Sequence, residues 1–224
     1  MDMGIEFTDL FLSQHYKEFV MYEQSSLDRP PGYELFFAPL QVALDPNNYE
    51  CVQFAYFASK YGHARQTRDD GSRYFDHTKA TAWVYISELG GRDPWVIIDS
   101  LLHDISEDAY LLSPYRICMN FGEMVALDVR ALTKLPKGKE TTKQYLERII
   151  ARGPQAILTK LCDRLHNLRT LRCCSLEKRA HQIEESQKNH LVFLVPALRE
   201  FGEPWEQYAQ TLEQKTTEAI AQYR

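Results

Sequence analysis

The chain has 224 residues, 44% of them hydrophobic and 25% charged. That suffices to bury a sizeable core in one large domain, or in a domain with extensions. A net charge of -5 argues against a dedicated duplex nucleic-acid surface, which is as a rule basic, yet leaves room for a local basic pocket that takes an anionic small molecule. No apolar run approaches a membrane span, and Met1-Asp2 opens without the basic stretch of a signal peptide. Cys51, Cys118, Cys162, Cys173 and Cys174 are odd in number and form no C-x-x-C pair. The expectation is reduced, inert thiols in a cytoplasmic protein.

Residues 1–25 carry Ile5, Phe7, Leu10, Phe11, Leu12, Tyr16, Phe19, Val20 and Tyr22. One or two amphipathic helices are predicted there, within an N-terminal helical extension over 1–45 that packs on the main body. Arg29-Pro30-Pro31-Gly32 is a breaker, and Tyr33 to Leu44 continues on a helical or irregular path. Asp45-Pro46 supplies a capping residue and a proline at the first helical position. The helix it opens runs through about Gln66, with Val52, Ala55, Phe57, Ala58 and Tyr61 inward. Thr67 to Arg73, with Gly71 among charged residues, reads as a loop. A helix from about Thr78 to Leu89, ended by Gly90-Gly91, places His77 at its start. A histidine in that position is by itself more often a cap or surface residue than a ligand.

Asp93-Pro94 repeats the opening seen at Asp45-Pro46, and the segment to Asp108 is predicted as one helix. Its buried stripe is Trp95, Ile98, Leu101, Leu102 and Ile105. Residues four apart share a face, so His103 stacks with Glu107 and Asp104 with Asp108. An imidazole and three carboxylates beside buried turns repel and desolvate badly unless a cation sits among them. A divalent metal answers that; so does plain solvation of a surface helix end. These residues alone leave both readings open.

Beyond Asp108 a polar Ser-Pro connection leads to a helix over Phe121–Leu135, with Met124, Val125, Leu127, Val129 and Leu132 apolar. Pro136-Lys137-Gly138-Lys139 breaks it, and Thr141–Arg152 is a short amphipathic helix. Gly153-Pro154 starts a long helix from Gln155 to about Cys173. Its inward side is Ile157, Leu158, Leu161, Leu165, Leu168 and Leu171. Asp163, Asn167 and Thr170 line up on one face of it, and Lys160, Arg164, Arg169 and Arg172 bring the positive charge that a phosphate needs. Two further helices are predicted, Leu176–Arg199, kinked or broken at Pro196, and Pro204–Tyr223. No alternating run of strand length and no Asn-Gly hairpin occurs, so the fold class is all-α.

Three stretches now stand in order: Arg68-Asp69-Asp70-Gly71-Ser72-Arg73-Tyr74-Phe75-Asp76-His77, then Leu102-His103-Asp104-Ile105-Ser106-Glu107-Asp108, then Lys160-Leu161-Cys162-Asp163-Arg164-Leu165-His166-Asn167-Leu168-Arg169-Thr170-Leu171. Together they resemble the hydrolase domain of RelA/SpoT-type alarmone enzymes, a branch of the HD metal-dependent phosphohydrolases. The patterns of that family are R-K-S-G-x-P-Y-x-x-H, H-D-x-x-E-D and K-x-x-D-R-x-x-N-x-R-T-L. The likeness covers about residues 50 to 200. It implies an HD-domain helical bundle over 46–200, between the extension at 1–45 and a C-terminal helix at 201–224.

The resemblance further implies that His77, His103, Asp104 and Asp163 hold one divalent ion, usually manganese (Mn2+) in this family. Two imidazoles with two carboxylates suit a borderline-to-hard ion. Glu107 and Asp108 match the catalytic pair that positions and deprotonates the attacking water. Asn167 and Thr170 match groups near the bound nucleotide, Arg68 matches the arginine that packs on the base, and Tyr74 is a candidate for the pocket wall. The implied reaction removes the 3′-pyrophosphate of guanosine tetra- or pentaphosphate, giving pyrophosphate and GDP or GTP. Arg73, Lys79, Lys134, Lys137 and Lys139 are candidates for offsetting the pyrophosphate charge, each equally readable as solvated surface.

Three departures from the pattern bear on nucleotide preference and leave the metal ligands alone. Asp69-Asp70 stand where Lys-Ser is usual, Arg73 takes the place of a proline, and Thr78 follows His77 where proline is usual. An adenosine alarmone, NADPH or a pyrophosphorylated tRNA 3′ end therefore stays open as the substrate. The chain ends before the synthetase domain of long family members, so a small stand-alone alarmone hydrolase is expected. Some relatives of this kind act as antitoxins beside a toxic small alarmone synthetase, which the resemblance allows as a partner. His15, His63, His166, His181 and His190 read as core or surface histidines, and Trp95 and the tyrosines as packing.

Overall fold

The structure, a computed structural model, describes residues 30–105 and 112–223. The helices predicted before Ser25, and the catalytic candidates Glu107 and Asp108, lie outside the described residues. Within them the chain is helical throughout, and the one β-type contact is an isolated bridge between Thr67 and Arg73. Among the described residues no helix is long and apolar enough to cross a membrane.

In chain order the helices are α1 (Tyr33–Ala43), α2 (Pro46–Gly62), α3 (Tyr74–Trp83), which continues as a wider π-helical turn over Val84–Glu88, and α4 (Pro94–Leu102). Then come α5 (Pro114–Phe121), α6 (Glu123–Leu132), α7 (Thr142–Arg152) and α8 (Pro154–Arg169), followed by a 3-10 turn at Leu171–Cys173. Helix α9 (Leu176–Glu185) passes through a π-helical stretch at Ser186–Leu194 into α10 (Val195–Arg199), and α11 (Trp205–Ala221) closes the described chain.

The capping signals act as the sequence suggests. The Asp45 carboxylate accepts from the backbone N–H of Asn47 and Asn48 at 3.1 Å each, and that of Asp93 from Trp95 at 2.9 Å. Thr141 and Gln144 form a reciprocal capping box at the start of α7. The Ser113-Pro114 pair is a third such opening and begins α5, where the sequence reading has only a connection. Gly122, at φ +89°, separates α5 from α6 and so shortens the predicted Phe121–Leu135 helix at its start. Pro196 lies where the wide π-helical stretch gives way to α10, a locally loosened ladder that accommodates the missing N–H.

Several predicted faces are corrected. On α2 the buried side is Val52, Ala55, Tyr56 and Ser59, while Phe57 and Tyr61 are exposed. Trp95 stands out from α4 rather than in its stripe, and Met124 and Leu127 are exposed on α6. The regular part of the predicted Asp93–Asp108 helix ends at Leu102. His103 and Asp104 form the turn that follows, because the His103 ring folds back and its Nδ1 bonds the Ser100 carbonyl at 2.8 Å.

Helix α8 is the hub, packing against α3, α4, α6, α7, α10 and α11. Every residue from Ala156 to His166 on it is buried. A helix surrounded on all sides should be apolar all round, yet Lys160, Asp163, Arg164 and His166 lie in this run. Their burial holds only if each finds a partner, and those partners define the site.

Candidate active site

A cavity of about 300 Å3 opens over one face of α8. Lys160, Asp163, Arg164, Asn167 and Thr170 form its floor, so it follows the helix for about 15 Å at 1.5 Å per residue. Loop 67–73 makes one wall. Gly71, at φ +79°, donates its N–H to the Arg68 carbonyl at 2.9 Å, and the N–H of Tyr74 bonds Gln66 O at 3.0 Å. This tight reversal sets Arg68 at the mouth and Tyr74 at the start of α3, one turn before His77.

At the centre, side chains from three separate places converge. His77 Nε2 lies 3.1 Å from Asp163 Oδ1 and 3.5 Å from Asp104 Oδ2. His103 Nε2 lies 3.1 Å from Asp104 Oδ2 and 3.7 Å from Asp163 Oδ1. One ligand atom from each of His77, His103 and Asp163 falls within 4.8 Å of the others, and Asp104 joins through both imidazoles. The four residues matched to metal ligands are therefore together.

An outer ring of bonds aims these groups. With Nδ1 donating to Ser100 O, His103 presents Nε2 to the centre, buried and without a hydrogen-bond partner among the described residues. His77 Nδ1 meets His166 Nδ1 at 2.8 Å. Burial, then the charges of His77 and Arg68, hold His166 well below the usual histidine range, so its ring is neutral and one proton bridges the two Nδ1 atoms. That fixes the ring of His77 with Nε2 inward. Tyr74 Oη donates to Asp104 Oδ2 at 2.8 Å, and Tyr74 stacks on His63 at 4.8 Å. Lys160 Nζ donates to Asp163 Oδ2 at 2.7 Å and Asn167 Nδ2 to Asp163 Oδ1 at 2.5 Å.

The electrostatics follow from this geometry. Burial drives the carboxyls of Asp104 and Asp163 upward, but His103 beside the former and Lys160 beside the latter overcome it, and both stay well below the usual carboxylate range. Burial opposes charge on His103, and Asp104 with Asp163 outweighs it and pushes the imidazole up to about 10. Lys160 is likewise held charged by Asp163 against its burial.

The remaining sequence candidates separate. Arg68, Asn167 and Thr170 are brought together: Arg68 Nη2 donates to Asn167 Oδ1 at 2.7 Å and reaches Thr170 Oγ1 at 3.5 Å, with its guanidinium 6.0 Å from the centre of the Tyr74 ring. Of the proposed pyrophosphate cations only Lys134 lines the cavity. Arg73 and Lys79 both turn to Asp76, at 3.0 and 3.4 Å, and Lys137 and Lys139 are not among the lining residues. Arg169 points away to Glu88 at 2.6 Å. Lys160 and Arg164, named in the sequence only as general positive charge, line the cavity and are buried. Glu185 holds Arg164 at 2.7 Å, and Gln182 bonds it as well.

His166 is the residue that sequence reasoning set aside. It is no ligand, but it orients one, and its only signal was its place one turn of α8 beyond Asp163 on the buried side.

No protein-family model matches the chain. The chain is 35% identical over 143 residues to a GTP pyrophosphokinase of Streptomyces antibioticus, covering 60% of this chain and 16% of that protein. It is 37% identical over 148 residues to the guanosine-3′,5′-bis(diphosphate) 3′-pyrophosphohydrolase of Aquifex aeolicus, covering 64% and 21%. To the bifunctional (p)ppGpp synthase/hydrolase RelA of Mycobacterium tuberculosis it is 35% identical over 140 residues, covering 60% and 19%. The chain thus spans about a fifth or less of the length of these relatives. Among solved structures it is similar to one described as a metazoan orthologue of SpoT that hydrolyses ppGpp and plays a role in starvation responses. That match has a TM-score of 0.62 and 25% identity and covers 80% of this chain and 97% of the other. The chain is thus similar to RelA/SpoT-type enzymes over 60–64% of its length, and its helical fold is similar to that of a SpoT orthologue.

Proposed function

We propose that the chain is a metal-dependent hydrolase that removes the 3′-pyrophosphate of guanosine tetra- or pentaphosphate, yielding GDP or GTP and pyrophosphate. The observation that carries this reading is the convergence of His77, His103, Asp104 and Asp163 at the centre of a cavity with cations at one end and an arginine-faced slot at the other. Relatives named as 3′-pyrophosphohydrolases, and a structural neighbour described as hydrolysing ppGpp, support it.

The donor set fits a divalent ion. Two imidazole nitrogens and two carboxylates are a borderline-to-hard set, and the buried Nε2 of His103 makes no hydrogen bond among the described residues and faces only the carboxylates of that set. Manganese is the ion we assign. Once bound, such an ion polarises a phosphoryl oxygen and makes a water acidic enough to attack near neutral pH.

The chain's own residues do the rest. His166, Ser100 and Tyr74 hold the ligands in their orientation, which is what preserves affinity in sites of this type. Lys160, Arg164 and Lys134 offset phosphate charge at their end of the α8 floor, Arg164 through its charge while Glu185 and Gln182 hold its amino groups. Arg68, pinned by Asn167, stacks on the base at the other end. Glu107 and Asp108 position the water and take its proton. Water's oxygen joins the phosphorus, the bond to the 3′-oxygen breaks, and that oxygen leaves as a hydroxyl carrying the proton that the carboxylate took from the water.

The test is chromatography of nucleotide and phosphate products from guanosine tetraphosphate with manganese present. GDP and pyrophosphate in equal amounts are expected, and neither should form with Asp104→Ala or Glu107→Ala. Orthophosphate as the product, or an intact substrate beside protein that demonstrably binds manganese, would refute the reading.

A further inference from the structure

The base end of the cavity is closed by a contact that the reaction above does not use. Asp69, in loop 67–73, and Lys178, in the first turn of α9, meet across the rim with Asp69 Oδ2 to Nζ at 2.5 Å. Cys174 Sγ also donates to Asp69 Oδ2, at 3.5 Å. Both bonds go to one carboxylate oxygen; Oδ1 takes none among the described residues. The neighbouring Asp70 is occupied differently, since its Oδ1 accepts from Ser72 N at 2.9 Å and Ser72 Oγ at 2.6 Å and so builds the loop. Of the two acids in this loop, Asp70 shapes the backbone and Asp69 lines the rim of the cavity.

Resting on the proposed nucleotide hydrolase reading, we infer that Asp69 and Lys178 read the base, and that together they select guanine. Arg68 directly precedes Asp69, and its guanidinium is fixed by Asn167 and Tyr74. Arg68, Asp69 and Lys178 line the same cavity, so a base stacked on that plane lies beside the rim pair. Guanine offers two adjacent N–H donors, at N1 and the 2-amino group, beside the O6 acceptor. A carboxylate accepts from both donors, and an ammonium next to it donates to O6. Adenine has a single exocyclic donor beside an acceptor at N1, and leaves half of the carboxylate unmatched.

The pair is poised for this exchange. Both side chains are about half exposed, at 51% and 52%, and an ion pair in that setting contributes little. Two charge-assisted bonds to a base return more than opening it costs.

The decisive substitution is Asp69→Asn, because an amide presents one donor and one acceptor, the arrangement that matches adenine. Initial rates are compared for the guanosine, inosine and adenosine 3′,5′-bis(diphosphates), with manganese. The wild type should prefer guanosine. Asp69→Asn should lower the guanosine-to-adenosine ratio of kcat/KM by about tenfold to a hundredfold, in part by raising the adenosine rate. Asp69→Ala should lose guanosine activity with no gain for adenosine. Lys178→Met should weaken guanosine and inosine alike, since both carry O6. Absence of a base preference in the wild type, or an equal loss for every base in Asp69→Asn, overturns the inference and leaves the hydrolase reading standing. Should none of the three compounds be hydrolysed, that reading fails, and calorimetry with GDP and ADP decides the inference instead. Tighter GDP binding that Asp69→Asn abolishes upholds it; equal or undetectable binding of both overturns it.

Discussion

Asp99 and Asp104 sit little more than a turn apart, one on α4 and one just beyond it, and burial pushes both carboxyls upward. Their neighbours then decide opposite outcomes. Around Asp104 and its companion Asp163 stand His77, His103 and Lys160, and both carboxyls remain ionised. Beside Asp99 stands Asp128, another carboxyl, whose own cation Arg152 grips it at 2.8 and 3.1 Å. Asp99 is raised well above the usual range by burial and then by Asp128, which itself is pushed up to about 6 by burial against Arg152. A buried acid therefore marks no reaction centre by itself. The cations in reach of Asp104 and Asp163 are what keep the charge that a metal can use.

The strongest way to break this contrast is Asp163→Ala. It leaves Lys160 buried without its counter-charge and His103 with Asp104 alone, so metal-free protein should lose about 3–5 kcal/mol in urea unfolding. Manganese binding and hydrolysis should vanish with it. Unchanged stability would mean that these ions are not held by one another.

A smaller effect is expected from His166→Phe, which keeps the ring and removes the bond to His77 Nδ1. Manganese affinity, measured by calorimetry, should fall about 10- to 100-fold while the unfolding midpoint of the metal-free protein stays near that of the wild type. A large fall in stability with unchanged affinity would make His166 a packing residue only.

The sequence made one kind of relation visible and hid another. Asp163, Asn167 and Thr170 lie along one helix and its cap, and spacing alone put them on one face. His77, His103 and Asp163 come from different elements, and motif resemblance, not periodicity, joined them. Tyr74 with Asp104, and His77 with His166, are contacts between helices that no spacing rule reports. Trp95 was misplaced for a related reason: α4 is buried from Val96 to Leu102 without interruption, so hydrophobicity could not say which single position faces out. Asp99 stayed unremarked because its environment is made by α6 and α7, both far away in the chain.

Replacing Asp99 by asparagine tests the other half of the contrast, with the opposite sign. The folded state holds the Asp99 proton above the ordinary value of 3.8. Its stabilising effect is thus complete below that pH and is lost as pH rises through the raised value. Asp99→Asn keeps the neutral shape at every pH. It should be more stable than the wild type at pH 8 by about 1 kcal/mol, with the gap closing toward pH 4. A variant less stable at pH 8 would show that the ionised form is the one the fold uses.

Glu88 supplies the smallest and most diagnostic effect. It ends the π-helical turn of α3 and accepts from both Arg169 amino groups, at 2.6 and 2.9 Å, and from Lys215 Nζ at 2.8 Å. Burial raises its carboxyl, but the two cations overcome that and hold it below its ordinary 4.5. The sign is therefore reversed relative to Asp99: the stabilisation is present above pH 4.5 and is lost as pH falls through the depressed value. Glu88→Gln should cost about 1 kcal/mol at pH 7, and the difference from the wild type should shrink steadily on acidification. Plotted together, the two differences against pH should slope in opposite directions. Parallel slopes would mean that burial alone, and not the cations around each acid, governs these carboxyls.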